Sequence, residues 1–146
     1  MPASPSTRPS EIHESQVENT IPVLPVSDVP RSIRFYCDIL GFKLDWGGKD
    51  ETAHIASVSR DGHHIMLERG QTPGTGCVWI GGSILPSIWD KVRSNSQIKI
   101  LKPPTNEYWA LDMKITDPDG NVLWFGTESL KDVPSGTQPQ DSQLLR

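Results

Sequence analysis

His63 and His64 stand side by side with Glu68 close behind, the types of side chain that hold a metal or move a proton. On a strand, neighbours alternate between faces, so only one of the two histidines can enter a given site. The other then meets solvent or a cross-strand partner such as His54. His64 and Glu68 lie two residues either side of Met66 on one face, and two donors fall short of the three or four that a metal site needs. Cys37 and Cys77 form no CxxC pair. No Ser or Cys sits in a strained, glycine-bounded elbow, so a nucleophilic triad has no support. Gly81-Gly82-Ser83 ahead of a helix could meet an anion, but it lacks the spacing of a dinucleotide or phosphate loop.

The chain has 146 residues, enough for one domain or two small halves sharing a core. Its net charge of −4 argues against nucleic acid and anionic membranes as partners. No apolar run reaches bilayer length and no apolar leader opens the chain, so a cytoplasmic protein is expected. Residues 1–18 and 130–146 are rich in Pro, Ser and Gly and read as flexible tails around a domain at 19–129.

Asp61-Gly62, two variable residues and Ile65-Met66-Leu67 are echoed by Asp119-Gly120 and Leu123-Trp124-Phe125. Asp-Gly between strand formers predicts a tight hairpin, and its repetition predicts a duplicated unit. Around each hairpin the pattern reads βαβββ, over about 19–69 and 76–128. In the first unit, a strand over 20–26 carries Pro22 and Pro25 and so belongs at a sheet edge. A helix follows, capped by Ser27 or Asp28 and ended by Gly41, and then strands over 42–46, 53–59 and 63–68. The second unit repeats this with a strand over 77–81, a helix capped by Ser83, and strands over 98–101, 109–116 and 122–126, with Pro103-Pro104 opening an exposed connection. Trp89 beside the helix stripe reads as packing, and the side that Trp79 takes is open. Each unit has too little helix for both faces of its sheet. The class expected is α+β, two βαβββ units forming a curved mixed sheet around a pocket with helices outside.

Val26-Ser27-Asp28-Val29-Pro30 through Tyr36, with Ile39-Leu40-Gly41-Phe42 and Asp117-Pro118-Asp119-Gly120-Asn121, resembles the vicinal-oxygen-chelate superfamily of glyoxalase I, extradiol dioxygenases and bleomycin-resistance proteins. The resemblance spans roughly 19–128. It implies a metal held from positions that here are Ile21, about Thr75, Met66 and Trp124, of which only Thr75 offers a donor. No metal and no cofactor is therefore expected. The segments Leu40 to Trp46 and Asn106 to Trp109 are similar to those of bleomycin-resistance proteins, which bind a cationic, partly aromatic glycopeptide unchanged. That implies Trp46 and Trp109 as stacking residues, with Trp124, Met66, His64 and Glu68 at the same pocket and Trp124 either its floor or filler. It also implies a homodimer exchanging the first strand. A lyase, isomerase or dioxygenase of the same fold is the alternative.

Overall fold

Asp61 and Gly62 adopt φ of 53° and 80°, the pair of positive values that a two-residue turn between twisted strands requires. They join β3 (Ile55–Arg60) to β4 (His63–Arg69). Along β4 the side chains alternate: Ile65 and Leu67 are buried, while His64, Met66 and Glu68 take the other face. The computed structural model describes residues 15–48 and 50–145, so most of the expected N-terminal tail lies outside the described residues.

The remaining elements follow the duplicated order. The first unit has β1 (Val23–Val26), α1 (Val29–Arg34) widening into a π-turn over Phe35–Ile39, and β2 (Lys43–Gly47). Asp28 caps α1, its Oδ1 accepting from the Arg31 amide at 3.0 Å, with Pro30 in the first turn. The second unit has β5 (Cys77–Gly81), α2 (Leu85–Val92), β6 (Ile100–Asn106), β7 (Leu111–Thr116) and β8 (Val122–Thr127). Ser83 does not cap α2: Ile84 takes the cap position, one residue later.

Strand order is β1-β4-β3-β2 in one sheet and β5-β8-β7-β6 in the other. The first strand of each unit runs parallel to the last, and all other pairs are antiparallel. The units thus build two four-stranded mixed sheets, one from each βαβββ unit, in keeping with the α+β class expected. Leu24, Ile65 and Leu67 from one sheet and Met113, Leu123 and Phe125 from the other join Tyr36, Leu85 and Ile88 in one core. Burying each such side chain contributes about 1.5–3 kcal/mol.

Two segments depart from the sequence reading. β6 runs through Pro103 and Pro104 because it is an edge strand whose register shifts between Lys102 and Thr105, where no ladder bond needs their missing N–H. In the single chain β1 pairs with β4 of the same unit. The Pro25 carbonyl turns away from β4 to accept from Gly74 N and Asn121 Nδ2, so the absent Pro25 donor costs that ladder nothing. Residues 130–145, expected as a flexible tail, are packed. Val133 and Leu144 are buried, Asn106 Nδ2 donates to the Leu130 and Val133 carbonyls, Arg93 pairs with Asp141, and a short α3 (Asp141–Leu144) closes the segment. Composition understated this segment because its anchors, Asn106 and Arg93, come from elsewhere in the chain.

The two units are locked by the second hairpin turn. Buried Asp117 accepts Tyr36 Oη at 2.9 Å, Asn121 Nδ2 at 2.9 Å, and the amides of Asp119 and Asn121. Burial, and then the Asp117 charge, push the Tyr36 phenol well above its ordinary range. A raised phenol pKa gives stability that is fully present below about pH 10 and lost as pH climbs through the folded-state value. Tyr36→Phe should therefore cost about 1–2 kcal/mol at neutral pH and flatten the alkaline fall in stability. Urea melts between pH 8 and about pH 11 read both effects. Equal alkaline slopes in the two proteins would reject the assignment.

Candidate functional site

The uncovered face of the second sheet gathers aromatic side chains. Trp79 on β5 pairs in register with Trp124 on β8, and Trp109 stands just before β7. Ring centroids of Trp79 and Trp124 lie 5.0 Å apart and those of Trp109 and Trp124 5.9 Å apart, both edge to face. Trp79 and Trp109 are 6.4 Å apart and tilted by 36°. Such pairs are favourable geometries for aromatic rings. Trp79 is 47% exposed and Trp109 48% exposed, so two of the three rings keep open surface.

Glycines make room for this cluster. Gly81 and Gly126 face each other across β5 and β8. A Cβ at Gly81 would come 2.7 Å from Trp79 Nε1, and one at Gly126 would overlap the six-membered part of the Trp79 ring. The indole lies across the two strands because neither carries a side chain there.

A charged base holds Trp124. Its Nε1 donates to Asp112 Oδ2 at 2.8 Å, and Asp112, 1% exposed, receives Lys102 Nζ on Oδ1 at 2.7 Å. Lys102 also donates to Glu107 Oε2 at 3.0 Å. Burial works against the Lys102 charge, but its hydrogen bonds to the Asp112 and Glu107 carboxylates outweigh it and raise the amine above its ordinary range. Lys114 Nζ lies 4.7 Å from the Trp124 ring centre, a cation–π contact. The corner carrying Trp109 is tied down by the C-terminal segment, where Ser129 Oγ donates to the Glu107 carbonyl at 2.6 Å.

The uncovered face of the first sheet is polar. Asp45 Oδ2 lies 2.9 Å from His64 Nδ1 and accepts Ser57 Oγ at 3.0 Å, while its Oδ1 accepts Ser59 Oγ at 2.6 Å. Burial acts to raise the Asp45 carboxyl, but the bonds from Ser59, His64 and Ser57 together hold it below the usual carboxylate range. A cavity of about 950 Å3 runs between the units, lined by His63 and His64 at the start of β4, by Trp79 on β5 and by Gly82 and Ser83. Both histidines border it despite strand alternation, since it opens at the strand end beside the turn.

The expected site residues are therefore divided. Trp109 and Trp124 come together, whereas Trp46 stands on β2, half exposed, with no ring contact to them among the described residues. His64 and Met66 share the first sheet's open face with Glu68. Trp79 and Asp45 were not foreseen as site residues, whereas Asp112 is one of the carboxylates whose negative potential a cationic ligand would meet. A signal for Trp79 exists in the repeated Trp-x-Gly of residues 79–81 and 124–126. Asp45 reaches the open face at the register shift between Leu44 and Trp46, which leaves no mark in the sequence.

The donor set does not fit the superfamily's metal. Ile21 and Met66 bring no imidazole or carboxylate, the Trp124 indole N–H is a donor spent on Asp112, and the Thr75 hydroxyl donates to the Thr72 carbonyl. Among the described residues no three His, Cys, Asp or Glu side chains converge, and no helix is long and apolar enough to cross a membrane.

Residues 19–76, the first unit and the linker after it, match the family model described as Glyoxalase/Bleomycin resistance protein/Dioxygenase superfamily. The chain is 28% identical to a bleomycin resistance protein of Geobacillus stearothermophilus, covering 73% of this chain and 93% of the relative. It is 26% identical to a probable lactoylglutathione lyase of Synechocystis, over the same shares. The fold is shared with TnmS3, an antibiotic binding protein from Streptomyces sp. CB03234, at a TM-score of 0.67 and 20% identity, covering 79% of this chain and 99% of that one.

Proposed function

We propose that this chain binds and sequesters a planar aromatic, cationic small molecule of the bleomycin type without changing it. The three-tryptophan cluster with two half-exposed rings carries the reading. Stacking on such rings contributes about 0.5–1.5 kcal/mol beyond burial. Asp112 and Glu107 at the cluster, and Asp45 and Glu68 on the other open face, supply negative charge for the cation, with Lys102 and Lys114 offsetting part of it. The resistance and antibiotic-binding proteins to which the chain is similar support the same reading.

Titration with bleomycin should quench tryptophan fluorescence, and mass spectrometry of the recovered drug should show an unchanged mass. Trp109→Ala should weaken binding roughly tenfold or more. Trp89→Ala, at a buried position on α2, should act on stability instead. Absence of quenching in the native protein would sink the reading.

A second reading, a metal-independent lyase or isomerase, is favoured by the His64–Asp45 pair and by the similarity to the lyase. A changed mass in the recovered compound, formed by protein dialysed against chelator, would support it.

A homodimer belongs to the same proposal. Exchange of β1 would preserve the Val23↔Met66 register between two chains and cover exposed Val23, with each pocket lying between subunits. Light scattering at micromolar concentration should give twice the chain mass. A monomer would reject it.

A further inference from the structure

The Asp45 carboxylate is surrounded by donors. Ser57 and Ser59 hydroxyls already point at it, and its third neighbour is His64 Nδ1. An ionised carboxylate only accepts, so the ring proton must sit on Nδ1. In the neutral imidazole this makes Nε2 an acceptor, and Nε2 has no partner among the described residues. The ring is 40% exposed and lines the cavity that Trp79 also lines. Trp79 in turn touches the other two indoles, so the cavity and the aromatic cluster are continuous at that ring.

We infer that His64, with Asp45 as its positioning residue, is a specificity-determining hydrogen-bond acceptor for a hydroxyl or N–H on an aromatic ligand seated against Trp79. The chemical class is a planar arene bearing a phenolic O–H or a ring N–H. This rests on the aromatic-binding reading and adds to it the side of the ligand that is read. The alternative, a surface histidine paired with a carboxylate for stability, leaves ligand choice untouched. An imidazole of fixed tautomer in a cavity wall discriminates because an ether in place of the hydroxyl leaves Nε2 desolvated with nothing to accept.

The test compares 2-naphthol with 2-methoxynaphthalene by calorimetry, together with 15N spectra of the imidazoles. Native protein should bind the naphthol roughly three- to tenfold more tightly than the ether. His64→Ala should bind both alike, and Trp109→Ala should weaken both without changing their ratio. Asp45→Asn should let the His64 proton distribute between Nδ1 and Nε2 and should shrink the preference, a signature that lost packing would not give. Equal affinities of native protein for both probes, or a preference surviving in His64→Ala, overturns the inference while leaving aromatic binding intact. If neither naphthalene binds at millimolar concentration, the aromatic reading falls and this assignment with it. The native preference and the Asp45→Asn spectrum decide the matter even if His64→Ala proves unstable.

Discussion

Asp117→Ala should lower the stability of this protein by on the order of 3–5 kcal/mol, the largest loss expected from a single polar substitution here. Asp117 is 3% exposed and accepts from four donors: Tyr36 Oη, Asn121 Nδ2 and the amides of Asp119 and Asn121. Alanine leaves all four without this acceptor, three of them within the turn that joins β7 to β8. Asn121 has a second role, since its Nδ2 reaches the Pro25 carbonyl and its Oδ1 receives Gly76 N at 2.8 Å. Loss of Asp117 therefore loosens the first unit's β1 and the linker along with the hairpin. Thermal melting should show Tm falling by on the order of 10–20 °C. Asp117→Asn keeps one acceptor oxygen and should fall between the two. A loss below about 1 kcal/mol for the alanine variant would show that the turn holds without its carboxylate.

Gly126→Val should remove most ligand binding while leaving the fold in place. Its β-carbon would occupy the space of the Trp79 ring, so that indole must swing away from Trp124 and Trp109. Valine suits a strand, and the Gly126 backbone keeps its pairing with Gly81 and Asp112. The expected result is a loss of at least roughly tenfold in affinity for bleomycin, as large as deleting a stacked ring. Near-ultraviolet circular dichroism should change as the coupled indoles separate, with little change in the far-ultraviolet. Undiminished binding together with an altered near-ultraviolet spectrum would remove Trp79 from the site.

Both results depend on features of different visibility. Asp117-Pro118-Asp119-Gly120-Asn121 is a contiguous motif, and its repetition of the Asp61-Gly62 hairpin showed that the chain holds two copies of one unit. Strand and helix positions follow from local pattern: apolar alternation in β4, Asp28 and Pro30 opening α1, positive φ demanded at Asp61 and Gly62. The resemblance to the superfamily placed its metal-ligand positions at Ile21, Met66 and Trp124, whose side chains bring no imidazole or carboxylate.

Which distant side chains meet is not a local property. Trp46 and Trp109 look equivalent as aromatics beside turns, yet they stand on different sheets, and Trp79 takes the place beside Trp109. Trp79 is there because Gly81 and Gly126, far apart in sequence, become opposite each other when β5 pairs with β8. The C-terminal segment reads as a tail until Asn106 and Arg93 supply its anchors. Asp45 reaches His64 through a shift in strand register between Leu44 and Trp46. The sequence by itself determined the duplicated units and their elements, since these depend on neighbouring residues. Only the tertiary structure decided the three-ring cluster, the Asp45–His64 pair and the docked C-terminus, because pairing register and close approach arise between strands, not along them.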